Sequence, residues 1–202
     1  MWLDLYSSFR KGFFKMKRIK KKDIETNINI NITDADTYVI VYNEKDWEGG
    51  RISEMPLKTK AEFYHVASQL SNVLFDIFDF YREEDICIGP FFELSNYCRR
   101  KDVNAFNLVQ ELKVQIKPKN YYWANSKEDK ELIEKLIEGN MRYLTQACFY
   151  LPAKQILLQV GHHTAFIAYS KDLEALNNEF ADIVKNYSGW HCELTSFYGK
   201  LE

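Results

Sequence analysis

Apolar residues along this chain follow two periods, and the period predicts the element. Residues 25–32, Glu-Thr-Asn-Ile-Asn-Ile-Asn-Ile, settle into strict alternation, with Ile on one face and Asn on the other, as in a half-buried strand. Asp34-Ala35-Asp36 reads as a turn. Residues 37–42 are β-branched and aromatic and predict a second strand, so the two form an expected β-hairpin. The polar stretch 43–56, with Gly49-Gly50, reads as a loop.

Residues 59–81 carry the strongest helical signal. Phe63, Val66, Ala67, Leu70, Val73, Leu74, Ile77 and Phe78 recur at helical spacing along one wide stripe. Residues 86–94 read as a short strand broken at Gly89-Pro90. A helix is expected over 102–112, capped by Asp102, and a strand over 113–117, where Val114 and Ile116 alternate before Pro118. Ser126 and Asp129 resemble a capping box for a helix over 127–138 that extends toward Ala147, with Gly139 weakening its middle. Residues 155–160 and 164–169 flank Gly161-His162-His163 and predict a second hairpin. Ser170 is the expected cap of a helix over 172–186, and residues 190–198 form a last strand. Helices and hairpins mix without regular βαβ alternation. The expected fold is therefore α+β: a single domain with a mainly antiparallel sheet built from hairpins and three or four packed helices.

Length and composition agree with that reading. The chain has 202 residues, 46% hydrophobic and 28% charged, which suits one globular domain rather than a disordered or fibrous chain. No apolar run approaches the roughly 20 residues a membrane-spanning helix needs. The basic residues near the start follow the apolar ones, the reverse of a secretory signal. The four cysteines, Cys87, Cys98, Cys148 and Cys192, form no CxxC and read as reduced thiols. A cytoplasmic protein is expected, with no membrane attachment.

Charge changes the picture more. Residues 1–22 carry eight Lys/Arg and one acid, a net of +7, which leaves −9 of the total −2 to residues 23–202. The expected organisation is a basic, flexible N-terminal arm over 1–22, with Met16 as a second candidate start, followed by a single acidic domain over 23–202. The arm, with Phe13 and Phe14, suits an anionic membrane or nucleic acid in isolation, but an acidic body repels phosphate. No nucleic-acid partner is expected.

Candidate chemistry is sparse. His162, His163, His191 and Cys192 are the residue types that bind zinc, yet no closed four-ligand pattern joins them, and neighbours in a strand point to opposite faces. His191 and Cys192 meet the same objection as a nucleophile and its base. No GxSxG, P-loop or GxGxxG occurs. No catalytic residue, metal or cofactor is assigned; an enzyme of unrecognised type that uses these His, Cys and acidic residues is one alternative, and an adaptor that binds anionic membrane or nucleic acid through residues 1–22 is a second.

The acids gather in two segments. Asp34, Asp36, Glu44, Asp46 and Glu48 surround Trp47, and Asp76, Asp79, Glu83, Glu84 and Asp85 crowd the end of the main helix. Asp76, Asp79 and Glu83 are expected to line one helical face, where they oppose the macrodipole without local return. Two such segments brought together around Trp47 would make a negative patch with an apolar centre. The expected function is binding and neutralising a basic protein partner; the concrete case is a bacterial immunity protein that inhibits a toxin such as a nuclease.

Overall fold

The computed structural model describes residues 16–19, 36–44, 57–93, 103–161 and 164–196. Among these residues the chain forms ten strands and four helices: β1 (Lys17–Ile19), β2 (Thr37–Asn43), α1 (Leu57–Tyr81), β3 (Asp85–Ile88), β4 (Phe92–Glu93), α2 (Val103–Gln115), β5 (Tyr121–Asn125), α3 (Lys130–Met141), β6 (Thr145–Gln146), β7 (Cys148–Leu151), β8 (Ile156–Val160), β9 (Ala165–Tyr169), α4 (Leu173–Val184) and β10 (Trp190–Ser196). Eight strands build one antiparallel sheet in the order β1-β5-β3-β7-β8-β9-β2-β10, and β4 pairs with β6 separately. This is a single-domain α+β fold.

Strand periodicity sorts the side chains onto two faces. One face presents Val39 and Val41, Ile86 and Ile88, Phe149, Leu158, Phe166 and Ala168 to the apolar stripes of the helices, and together they form the main core. The expected stripe of α1 is there: Phe63, Val66, Leu70, Val73, Leu74 and Ile77 are all buried. At roughly 1.5–3 kcal/mol per buried large apolar side chain, that stripe is a major gross contribution to stability. The other face carries a row that crosses the sheet, Trp123, Cys87, Tyr150, Leu157, Tyr169 and Tyr38. No described helix contributes to this second cluster, although Tyr150, Leu157 and Tyr169 are only 3–5% exposed.

Several sequence expectations hold and several do not. The hairpin of β8 and β9, the long α1, and the terminal α4 and β10 lie close to their predicted ranges. Residues 113–117 are not a strand: α2 runs on to Gln115, which leaves Val114 68% exposed. The strand of that region is β5, pairing with both β1 and β3. α3 begins at Lys130, and its N-cap Asp129 makes no side-chain capping bond; Asp129 instead accepts from Asn125 N–H. The cap of α4 is Asp172, which accepts from Ala175 N–H, rather than Ser170. β2 is flanked by β9 and β10; residues 25–32, the other half of the expected hairpin, lie outside the described residues. Three residues of the basic N-terminal stretch, Lys17–Ile19, form the edge strand β1.

Candidate functional site

The acidic end of α1 is shaped by how the helix stops. Arg82 takes a left-handed conformation with φ of 56°. Its N–H donates to Asp79 O at 3.0 Å, and Glu83 N–H donates to Phe78 O at 2.9 Å. This pair of bonds is a Schellman closure, which satisfies carbonyls the helix would otherwise leave open. The chain then reverses into β3.

That reversal separates the acids. Asp76 and Asp79 share one exposed helical face, three residues apart, but Glu83 has left the helix and is only 9% exposed. Its carboxylate accepts from Ala153 N–H at 3.1 Å, which ties the end of α1 to the β7–β8 turn. Burial pushes the Glu83 carboxyl up, the Ala153 N–H and Lys154 work against that, and Asp85 adds to it. Glu84 and Asp85 are exposed. Glu84 pairs with Lys127 at 2.7 Å, and both groups are open to water, where such pairs contribute little. Asp76 accepts from the Tyr187 hydroxyl at 2.6 Å.

An aromatic ring stands among these carboxylates, and the sequence reading missed it. Phe80 is 51% exposed, next to Asp79 and four residues on from Asp76, so the three share one helical surface. Its ring packs edge-on against Tyr81, with centroids 5.0 Å apart, and the Tyr81 hydroxyl is held by Glu179 of α4. The exposed Glu128 lies beside Lys127 in the turn whose Ser126 N–H donates to Glu84 O.

Of the second acidic segment, Asp36 and Glu44 are among the described residues. Asp36 and Glu44 bracket β2, about 26 Å apart at the strand rise of about 3.3 Å per residue. β2 and β3 run the same way in the sheet, so Asp36 shares an end with Asp85, and Glu44 lies at the opposite end. Four strand spacings, about 19 Å, separate β2 from β3. Asp34, Asp46, Trp47 and Glu48 lie outside the described residues.

The histidine and cysteine candidates do not converge. His191 and Cys192 point to opposite faces of β10. His191 stacks near the Tyr42 ring at 5.4 Å, with Nε2 4.0 Å from Glu44 Oε2. Cys192 faces α4, where its Sγ meets Asn177 Oδ1 at 3.4 Å. Burial, helped by Glu193, pushes the Cys192 thiol up to about 12, so it stays protonated at neutral pH. Burial does the same to Cys87 and Cys148. His162, His163 and Cys98 lie outside the described residues. Among the described residues no group of three His, Cys, Asp or Glu side chains is placed to hold a metal ion, and no helix is long and apolar enough to cross a membrane.

The most distinct surface feature is therefore the end of α1, a half-exposed phenyl ring on the helical surface that carries Asp76 and Asp79. Comparison with known proteins adds no relative: no family model, no curated protein and no solved structure matches the chain.

Proposed function

We propose that this protein acts in the cytoplasm as a binding protein, and that the acidic end of α1 docks a basic protein partner and neutralises it. The concrete case is an immunity protein that covers the cationic substrate groove of a bacterial toxin, such as a nuclease. One observation carries the reading: Phe80 is half exposed on the helical surface that carries Asp76 and Asp79, at the end of α1 where the exposed Glu84 and Asp85 follow in the chain. An aromatic anchor ringed by charge is the arrangement in which the centre sets the dissociation rate and the rim sets association. The body's −9, set against the chain's total of −2, gives the same sign over longer range.

The test is binding kinetics against the basic product of the neighbouring gene. Reversing the exposed charges, Asp79→Lys with Glu84→Lys, is expected to slow association and flatten its salt dependence. Phe80→Ala is expected to speed dissociation and weaken binding by about 2 kcal/mol. Glu83 is left untouched, because its burial makes any change there a test of folding. Association rates that stay identical across a range of salt in the charge-reversed protein would remove the electrostatic basis of the reading.

A further inference from the structure

The face of the large sheet that turns away from the helices is buried all the same. Trp123, Cys87, Tyr150, Leu157 and Tyr169 stand in register from β5 through β3, β7 and β8 to β9. Ile19 of β1 joins this cluster at one end, and at the other the Tyr38 ring of β2 lies 6.1 Å from that of Tyr169. Cys87, Tyr150, Leu157 and Tyr169 are only 3–5% exposed, and that is their exposure in a single chain. Neighbouring side chains alone do not shield the middle of a sheet face to that degree, so another part of the same chain lies over it.

Topology identifies that part. Successive antiparallel pairings make β1, β3 and β2 parallel to one another, and β9 parallel to β10. β2 crosses back to β3 through α1, and β9 crosses to β10 through α4. The second crossover travels the other way across the sheet, but between strands that point the other way. Both helices pack on the main core, so the two crossovers share one hand. Crossovers between parallel strands of one sheet are right-handed almost without exception. The connection from β1 to β2 travels against that of α1, between strands that point the same way. The same hand therefore puts it on the opposite face, over the buried row.

We propose that residues 20–35 are the strap that crosses this face and buries it. β1 and β2 stand six strand spacings apart, about 29 Å, and the chain between Ile19 and Thr37 reaches about 60 Å when extended, ample for the crossing. The connection leaves β1 at Ile19 and enters β2 at Thr37, beside Tyr38, so it starts and finishes at the two ends of the buried cluster. The Ile/Asn alternation within 25–32 gives it one apolar side, Ile28, Ile30 and Ile32, to lay on the row, and one polar side for water. Neither a second copy nor a partner protein is needed, because one chain already accounts for the burial.

Photocrosslinking of the full chain tests this. Ile30→p-benzoylphenylalanine keeps the position apolar and puts a reactive ketone near the middle of the crossing. On irradiation it is expected to link, within one chain, to residues of β3, β7 or β8, located by peptide mass spectrometry. Links only to the helices, links only between two chains, or no link at all would each overturn the proposal. Thiol alkylation gives a second readout, because Cys87 lies under the strap and Cys192 faces α4 on the other side of the sheet. Ile30→Asp is expected to speed iodoacetamide modification of Cys87 by at least about tenfold and to leave Cys192 unchanged. Asn29→Asp, on the outer side of the strap, is expected to change neither. A Cys87 that reacts no faster in Ile30→Asp counts against the strap, and the crosslink decides the matter if that variant fails to fold.

Discussion

Glu83 shows how one residue can look like surface and serve as structure. It continues a run of acids, yet the reversal at Arg82 turns it inward onto Ala153 N–H. Its carboxyl is raised in the folded protein, chiefly by burial. A raised carboxyl stabilises fully only below the usual glutamate range, and that contribution is lost as pH climbs through the folded value. Glu83→Gln keeps an acceptor for Ala153 and carries no charge. It is expected to be more stable than wild type at neutral pH, by at most about 1 kcal/mol because the site is partly screened by water. The gain should vanish near pH 4, about where unfolded glutamate titrates. Urea unfolding of both proteins at the two pH values reads this directly.

Gly89 is the converse case, a residue required both by its backbone angle and by the space around it. Its φ is 137°, and a Cβ there would sit 2.6 Å from Asn120 O. The Gly-Pro pair was legible as a break in the strand, but the reason for it is a backbone that passes too close for any side chain.

Among the elements, one side-chain bond joins α1 to α4, Tyr81 to Glu179, and two more tie α1 to the chain that follows α4, Tyr187 to Asp76 and Trp190 to Gln69. The Tyr81 hydroxyl is part-buried and donates to Glu179. Tyr81→Phe removes it and leaves Glu179 short of a partner, so a loss of about 1 kcal/mol is expected in thermal or urea unfolding. The ring contact with Phe80 survives that change, so binding through Phe80 should not move with it.

Elements whose burial is one-sided were legible, because only those write a period into the sequence. α1, with its single stripe, and α4 are of this kind. β5 is different: Tyr122 and Ala124 enter the main core while Tyr121 and Trp123 pack on the opposite face, so no polar position alternates. The run from Lys113 misled in the opposite sense. Val114 and Ile116 alternate like strand residues, but Val114 points to solvent at the end of α2 and Ile116 enters the core just beyond it. Ser126 and Asp129 copied a capping box by spacing alone; in the fold Ser126 Oγ donates to Glu83 O.

At the scale of the molecule, the acidic character of the α1 end was legible and its centre was not. Phe80 lies between Asp79 and Tyr81, about 80° around the helix from Leu70 at 100° per residue, on the border of the buried stripe. Periodicity cannot decide such a position; the neighbouring helix does, and α4 takes Tyr81 and leaves Phe80 outside. Of the second acidic segment only Asp36 and Glu44 are described, and strand order, which no local pattern encodes, places Glu44 at the far end of the sheet from Asp85.

Strand order also dictates a schedule. β2 is made long before its two neighbours, β9 and β10. Pairing Asn43 with Trp190 closes most of the chain into one loop, the kind of long-range contact that slows folding. Throughout synthesis, Val39 and Val41 must wait with no ladder to join, alongside a completed α1 whose stripe lacks the half of the core formed after it. The growing chain is therefore expected to rely on chaperones until the codons for β10 have been read, and a nascent chain stopped before residue 165 should be digested by protease as readily as an unfolded one.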